Sequence, residues 1–142
     1  MAVSLVGLGH ETDEGLEQMS EQHNYSIHLD QKFGSLKLID TKALAAEVAE
    51  DWFNQTLCSV NDCVVRLGVF KKGEFHWHKH DREDEFFFVL SGKLKIELEK
   101  ETVLLSPQQG YAVPRGLLHK TSVSEPTVIL MIEAATVTPT GD

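Results

Sequence analysis

The chain has 142 residues, of which 42% are hydrophobic and 25% are charged, and these values are ordinary for one globular domain with its own core. Its formal net charge is −9, from 22 acidic against 13 basic residues. Proteins that bind nucleic acids need a basic surface to displace counterions from phosphates. The charge therefore argues against a nucleic-acid partner.

The sequence also argues against a membrane partner. No apolar run approaches the ~18–20 residues that a spanning helix needs, and the first residues lack the basic region of a signal peptide. The two cysteines, Cys58 and Cys63, lack the spacing of a redox CxxC pair and are too few for a closed metal site. We therefore expect reduced thiols and a cytoplasmic protein.

Residues 1–39 read as an N-terminal extension, helical or irregular, that contributes to a dimer interface. Within it, residues 11–22 are polar and acidic, with Leu16 and Met19 as the apolar anchors. This composition fits either a short amphipathic helix or a loosely held arm. The main domain is expected to span residues 40–142.

A leading helix is predicted at the start of the main domain. Asp40 and Thr41 are suitable capping residues. Leu44, Val48 and Trp52 follow at helical spacing and form one apolar stripe. The pattern predicts a helix over roughly 41–53 that packs against the rest of the domain.

The remaining sequence has the texture of short strands separated by tight turns. Residues 93–99 alternate between apolar and charged side chains without a break. The predicted strands are 63–70, 75–80, 85–90, 93–99, 102–105, 111–113, 117–123 and 127–134. Eight short strands with turns every 8–12 residues indicate an all-β sandwich or barrel.

Two of these strands, 64–70 and 127–132, are apolar on both faces. A sheet with one face in water should alternate instead. Something must therefore cover the outer face of the sheet that contains them. The N-terminal segment can cover part of it, and a second copy of the chain is the natural candidate for the remainder. The sequence thus predicts a homodimer.

The densest group of potential metal ligands is the stretch 76–85, which contains three histidines and four carboxylates. In a strand, His76, His78 and His80 project to the same side. A polar turn over 81–84 would reset the register, so that Glu85 faces the same cavity. A further ligand has to come from elsewhere, and His119 is the candidate outside the N-terminal extension. A nitrogen-rich site with one carboxylate suits Zn, Fe, Mn, Ni or Cu.

These motifs resemble those of the cupin superfamily, in particular its small single-domain members. The first motif reads His78-x-His80-x4-Glu85-x6-Gly92, and the second reads Gly110-x3-Pro114-x-Gly116-x2-His119. The closing residues 139–142 also resemble the end of such proteins. The resemblance covers roughly residues 40–142. It implies a double-stranded β-helix, or jelly-roll barrel, that binds one divalent transition metal through the histidines at 78, 80 and 119 and the glutamate at 85.

Four further residues are candidates for contacts to a substrate. Strand parity points His76 toward the cavity, where it could act as a catalytic base or touch substrate, although a packed or rim position is an alternative. Arg115 at the barrel mouth, and Tyr111 and Arg66 as cavity-facing groups, are candidate substrate-binding residues.

Two functional hypotheses follow. The first is a small metal-dependent enzyme of the dioxygenase, isomerase or lyase type, acting on a small polar molecule inside the barrel. The second is a module that binds or senses a small ligand without turnover. Fold resemblance alone cannot choose between them.

Overall fold

The computed structural model describes residues 25–142, and this part of the chain folds into ten strands and one short helix. The helix α1 is Thr41–Ala46. The strands are β1 Ser26–His28, β2 Trp52–Val60, β3 Cys63–Phe70, β4 Gly73–Glu74, β5 Glu85–Ser91, β6 Leu94–Leu98, β7 Thr102–Leu105, β8 Gly110–Val113, β9 His119–Val123 and β10 Thr127–Ala134.

The strands form two sheets. The larger has the order β1-β2-β3-β10-β5-β8, and the smaller has the order β4-β9-β6-β7. All pairings within them are antiparallel except that of β1 with β2. The inner faces meet in one apolar core, to which the larger sheet contributes Phe87 and Ile129 and the smaller sheet contributes Leu94 and Ile96. The predicted all-β jelly-roll architecture is confirmed, as a two-sheet sandwich whose sheets do not close into a continuous barrel.

Strands with clear alternation or with turns at both ends were the most predictable. The predicted bounds of β3, β7 and β10 agree with the structure residue for residue, and those of β5, β6, β8 and β9 differ by one or two residues. In β6 the apolar Leu94 and Ile96 are fully buried while Lys95 is exposed. The period-2 pattern therefore reports the buried face correctly.

The predicted helix over 41–53 is too long. Asp40 does cap α1, since its Oδ1 accepts a hydrogen bond from the Ala43 amide at 3.1 Å, but the helix ends at Ala46. Trp52 instead begins β2, lies opposite Phe70 in the antiparallel register and stacks on its ring with centroids 3.9 Å apart. Burial of this indole in the core outweighs a local helical preference.

The predicted strand over 75–80 is only partly regular. β4 ends at Glu74, after which the chain follows β9 through isolated contacts. The Phe75 amide donates to the Thr121 carbonyl at 2.9 Å, and the His78 amide donates to the His119 carbonyl at 3.0 Å. The histidine-bearing stretch is therefore anchored to β9 without being a continuous strand.

The outer face of the larger sheet is covered in one half and open in the other. Leu57, Leu67 and Val69 are buried there beneath α1 and the segment that precedes it, from which Phe33 and Leu44 contribute. On the neighbouring strands, the cross-strand pair Phe86 and Ile132 is 37% exposed at each residue. Residues of the chain before β2 thus cover part of this face, as expected.

The described residues include only part of the predicted N-terminal extension. The predicted helix or arm over 11–22 lies outside the described residues, whereas β1 adds a strand to the edge of the larger sheet. Cys58 and Cys63 are both free thiols. Within residues 25–142, no helix is long and apolar enough to cross a membrane.

Candidate metal centre

Four side chains from three parts of the fold meet between the sheets. Glu85 is the first residue of β5, His119 is the first residue of β9, and His78 and His80 come from the stretch between β4 and β5. The backbones of His78 and His119 hold each other through two reciprocal hydrogen bonds of 2.9 and 3.0 Å. The second sequence motif is thereby placed beside the first.

The four side chains are close enough to share one ion. Each offers a ligand atom, and these atoms all lie within 4.8 Å of one another. Glu85 Oε1 is 3.2 Å from His119 Nε2 and 3.6 Å from His80 Nε2. All four residues are at most 8% exposed. The structure thus brings together the four ligands implied by the sequence motifs, whose role as ligands stays a prediction.

Backbone carbonyls orient two of the imidazoles. His78 Nδ1 donates to the His76 carbonyl, and His119 Nδ1 donates to the Leu117 carbonyl, each at 2.9 Å. Such bonds fix the tautomer that leaves Nε2 with a free lone pair, which is the usual preparation of a metal-binding histidine. In the ion-free arrangement His119 Nε2 lies instead against Glu85.

His80 gives the strongest indication that the cluster is built for a cation. Its ring is 2% exposed, and among residues 25–142 neither ring nitrogen has a hydrogen-bond partner, because Glu85 Oε1, at 3.6 Å from Nε2, is too far for one. An unpaired buried polar group costs about 1–3 kcal/mol, and a bound cation would satisfy one of these nitrogens. The donor set of three nitrogens and one oxygen therefore fits a divalent transition metal.

The electrostatics around Glu85 and His78 favour the protonation states that bind metal. Burial would raise the pKa of Glu85, but interactions with His119, His80 and Glu133 outweigh it and hold the pKa far below its usual range. Burial, together with the neighbouring His119, lowers the pKa of His78 to about 4. At neutral pH the carboxylate is therefore ionised and this imidazole is neutral.

A buried polar network lies behind Glu85. Arg66, which is 1% exposed, donates to Thr56 Oγ1 at 3.1 Å, to Glu133 Oε1 at 3.5 Å and to the side-chain oxygen of Asn54. Burial and repulsion from Glu85 raise the pKa of Glu133 to about 9, so that its neutral acid is favoured despite the neighbouring guanidinium. Arg66 then balances the charge of Glu85.

A cavity of about 20 Å³ lies next to the cluster and has room for about one water molecule. Its wall is largely aromatic, with polar groups at the cluster end. The lining residues are Trp52, Asn54, Arg66, Phe70, Phe75, His78, Glu85, Phe87, Thr121, Met131 and Pro139.

The other predicted site residues take different positions. Arg66 lines the cavity. Arg115 is exposed and pairs with Asp84 at 3.2 Å, and the Tyr111 hydroxyl donates to Glu101 at 3.4 Å, so neither reaches the cavity. His76 is exposed and donates from Nε2 to the Thr140 carbonyl at 2.6 Å, and although its ring centroid is 5.4 Å from that of His78, it is not a member of the four-residue cluster. Regular strand pairing ends at Glu74, so strand parity does not extend to His76.

Sequence reasoning missed three residues of this interior. Glu133 carried a usable signal, since it is a carboxylate inside the otherwise apolar run of β10. Trp52 and Asn54 are two residues apart on β2 and share its inner face. This pattern was not recognised because the segment was predicted to be the end of a helix. Their approach to Arg66 and to the cavity depends on the pairing of β2 with β3.

Comparison with known proteins agrees with this geometry. Residues 66–133 match the family described as Cupin domain. The uncharacterized protein YdbB of Bacillus subtilis (strain 168) is 41% identical over 98 residues, which cover 68% of this chain and 86% of that protein.

Solved structures show the same fold. A cupin-2 domain containing protein from Shewanella frigidimarina NCIMB 400 superposes with a TM-score of 0.64 at 29% identity, covering 68% of this chain and 94% of that one. KdgF from Halomonas sp. superposes with a TM-score of 0.57 at 22% identity, covering 64% of this chain and 86% of that one, a likeness of fold alone. With its paired motifs, two facing sheets and buried histidine–glutamate cluster, this chain belongs to the cupin superfamily, as a small single-domain member.

Proposed function

We propose that the chain binds one divalent transition metal, among Zn, Fe, Mn, Ni and Cu, through His78, His80, Glu85 and His119, and that it is a small metal-dependent enzyme. The observation that carries this proposal is the buried His80 ring, whose two nitrogens have no hydrogen-bond partner within the described part of the chain although three other ligand groups lie beside them. Four protein ligands leave an octahedral ion two positions for water or substrate.

The chemistry is expected to be of the dioxygenase, isomerase or lyase type. The metal would supply a Lewis acid or a redox centre for a small molecule bound through oxygen. Glu85, held ionised, and the two carbonyl-oriented imidazoles would keep the donor geometry fixed. The aromatic walls would exclude water, while Arg66 offers a buried positive charge behind the reacting group.

A module that binds or senses a ligand without turnover is the second candidate. The position of His76 favours it, because this candidate base is exposed and does not line the cavity. The cavity of about 20 Å³ also leaves no room for a drug-sized molecule inside the sandwich. A substrate of the enzyme would therefore have to be small, or the walls would have to separate when it enters.

The metal itself is tested first. Metal content of the purified wild type, prepared without chelators, should approach one ion per chain, and His119→Ala should abolish it. His28→Ala is the matched control. His28 is an exposed histidine outside the cluster, and its Nε2 hydrogen-bonds to Ser26 Oγ at 2.8 Å. A wild type that contains no metal and gains no thermal stability from any of the five ions contradicts the proposal.

Turnover assays then separate the two candidates. Small diketones, thiols and keto-sugars, incubated with the metal-loaded protein, should be consumed by the wild type and not by His119→Ala. Saturable binding of such a compound without consumption would favour the binding module.

We also propose that the chain is a homodimer, with the open half of the outer face as its interface. The adjacent pair Phe86 and Ile132 supports this, because both side chains are more than one-third exposed on a sheet face that is otherwise apolar. Light scattering at micromolar concentration should give twice the mass of the chain, and a monomeric mass would contradict the proposal.

A further inference from the structure

The segment 137–142, here called the strap, lies along the histidine-bearing stretch. The Asp142 amide donates to the Lys79 carbonyl at 2.9 Å, and the Asp81 amide donates to Asp142 Oδ2 at 2.6 Å. His76 Nε2 donates to the Thr140 carbonyl at 2.6 Å. Three hydrogen bonds thus join the strap to residues on both sides of His78 and His80.

The strap also contacts a predicted ligand directly. Gly141 has a φ of +97°, and a Cβ added to it would lie 2.7 Å from His78 Cβ and 3.2 Å from the Lys79 carbonyl oxygen. Only glycine allows this approach, because a real side chain at that distance would displace the imidazole. Pro139 extends the contact to the cavity, which it lines together with His78.

The histidine-bearing stretch needs such support. Regular pairing of this part of the chain ends at Glu74, and from there separate hydrogen bonds hold it, those of Phe75 and His78 to β9 and that from the Gly116 amide to the His80 carbonyl at 2.7 Å. A metal centre requires its ligands to be held within a few tenths of an ångström. The strap supplies hydrogen bonds to this stretch in addition to those from β9.

We propose that the strap is a positioning element of the metal centre, in which Gly141 and His76 hold His78 and His80 in the arrangement that binds the ion. This inference rests on the proposed function, since it assigns these residues a role in metal binding. In this proposal His76 is a positioning residue that holds the strap in place through its hydrogen bond to Thr140, and is neither a ligand nor a catalytic base.

The test compares two glycines that share a strained backbone. Gly141→Ala and Gly73→Ala both place a side chain at positive φ, +97° and +102°, but among residues 25–142 a Cβ at Gly73 meets nothing within 4 Å. Both variants of the full chain should lose thermal stability to backbone strain, and Gly141→Ala should lose more because its Cβ also meets His78. Titration calorimetry with Zn²⁺ and Mn²⁺ should show Kd raised about tenfold or more for Gly141→Ala, the usual effect of losing a partner that orients a ligand, and unchanged for Gly73→Ala.

A second pair of variants keeps the test decisive if Gly141→Ala folds poorly. His76→Ala removes the donor to the strap, and the exposed His28→Ala is its control. His76→Ala should also weaken metal binding about tenfold. In the metal-free protein it should accelerate hydrogen exchange at the Asp81 and Asp142 amides while exchange in β6 stays unchanged.

The outcomes separate the two proposals. A wild type that binds no metal overturns the proposed function and the positioning role with it. A wild type that binds metal, with Kd equal in all four variants, overturns the positioning role alone. Unprotected Asp81 and Asp142 amides in the wild type also overturn it, because the strap would then not be docked.

Discussion

The two faces of the larger sheet use the same strands for opposite purposes. Along β5, Glu85, Phe87 and Val89 are buried toward the smaller sheet, whereas Phe86 on the other face is 37% exposed. The inner face buries charged groups inside a largely aromatic cavity, and the outer face is apolar and needs a cover. Buried charge is costly without partners, whereas apolar surface is stabilised by any close-packed neighbour. Specific hydrogen-bond and charge partners therefore stabilise the inner face, whereas any close-packed apolar surface can stabilise the outer face.

The strongest test of the inner face is Arg66→Ala. This change leaves Glu133, Thr56 and Asn54 without their buried donor. The free energy of unfolding should fall by about 3–5 kcal/mol, because the buried charge of Glu85 also loses the guanidinium that balances it. Urea unfolding measures it. Arg115→Ala is the control, because Arg115 pairs with Asp84 in solvent, and its midpoint should hardly move. Equal effects of the two changes would show that burial does not govern the inner face.

The covered and open halves of the outer face should respond differently to the loss of apolar side chains. Leu67→Ala, beneath α1, should lower the free energy of unfolding by about 2–5 kcal/mol because it leaves a cavity. Ile132→Ala, in the open half, should cost ~1 kcal/mol in a monomer. Thermal unfolding at two protein concentrations measures both. A large, concentration-dependent loss for Ile132→Ala would support the dimer interface.

Metal affinity should depend on pH through one histidine. Burial would lower the pKa of His80, but the Glu85 carboxylate, 3.6 Å from Nε2, outweighs this and raises the pKa above its usual value in the ion-free protein. The metal needs a neutral ring, so its affinity should be highest above that raised pKa. Below it, the affinity should fall up to about tenfold, or ~1.4 kcal/mol, for each pH unit. Zn²⁺ affinity should be measured from pH 8 to 5. Protonation of His78, whose pKa is about 4, should contribute to the loss of affinity only at the acid end of this range. An affinity independent of pH would contradict this assignment.

The smallest expected effect concerns the cap of the covering helix. Asp40→Ala removes the side-chain acceptor of the Ala43 amide and should cost ~1 kcal/mol in thermal unfolding. Metal affinity should not change, because α1 packs on the outer face. Asp40→Asn, which keeps an acceptor oxygen, should retain most of the stability. A change in metal affinity for Asp40→Ala would mean that the two faces are coupled.

Strand content and the candidate ligands were readable in the sequence because both depend on short-range pattern. Alternation fixes which side of β6 is buried, and the motif spacing identified His78, His80, Glu85 and His119, which the structure brings within 4.8 Å. The burial pattern needs only a strand period, whereas the ligand set was implied by the resemblance of the two motifs to those of the cupin superfamily.

Other features were decided by contacts between distant segments. Trp52 belongs to β2 and not to the predicted helix, because it pairs with Phe70 in the sheet. The buried charge of Arg66 is satisfied by Asn54 and Glu133, which are 12 and 67 residues away in the sequence. His76 lies beyond the end of β4, where regular strand pairing stops, and its Nε2 donates to the Thr140 carbonyl, 64 residues away in the sequence. The sequence by itself determined the chemistry available to the site. Tertiary structure decided which groups are buried next to one another, because burial and pairing energies outweigh local preference.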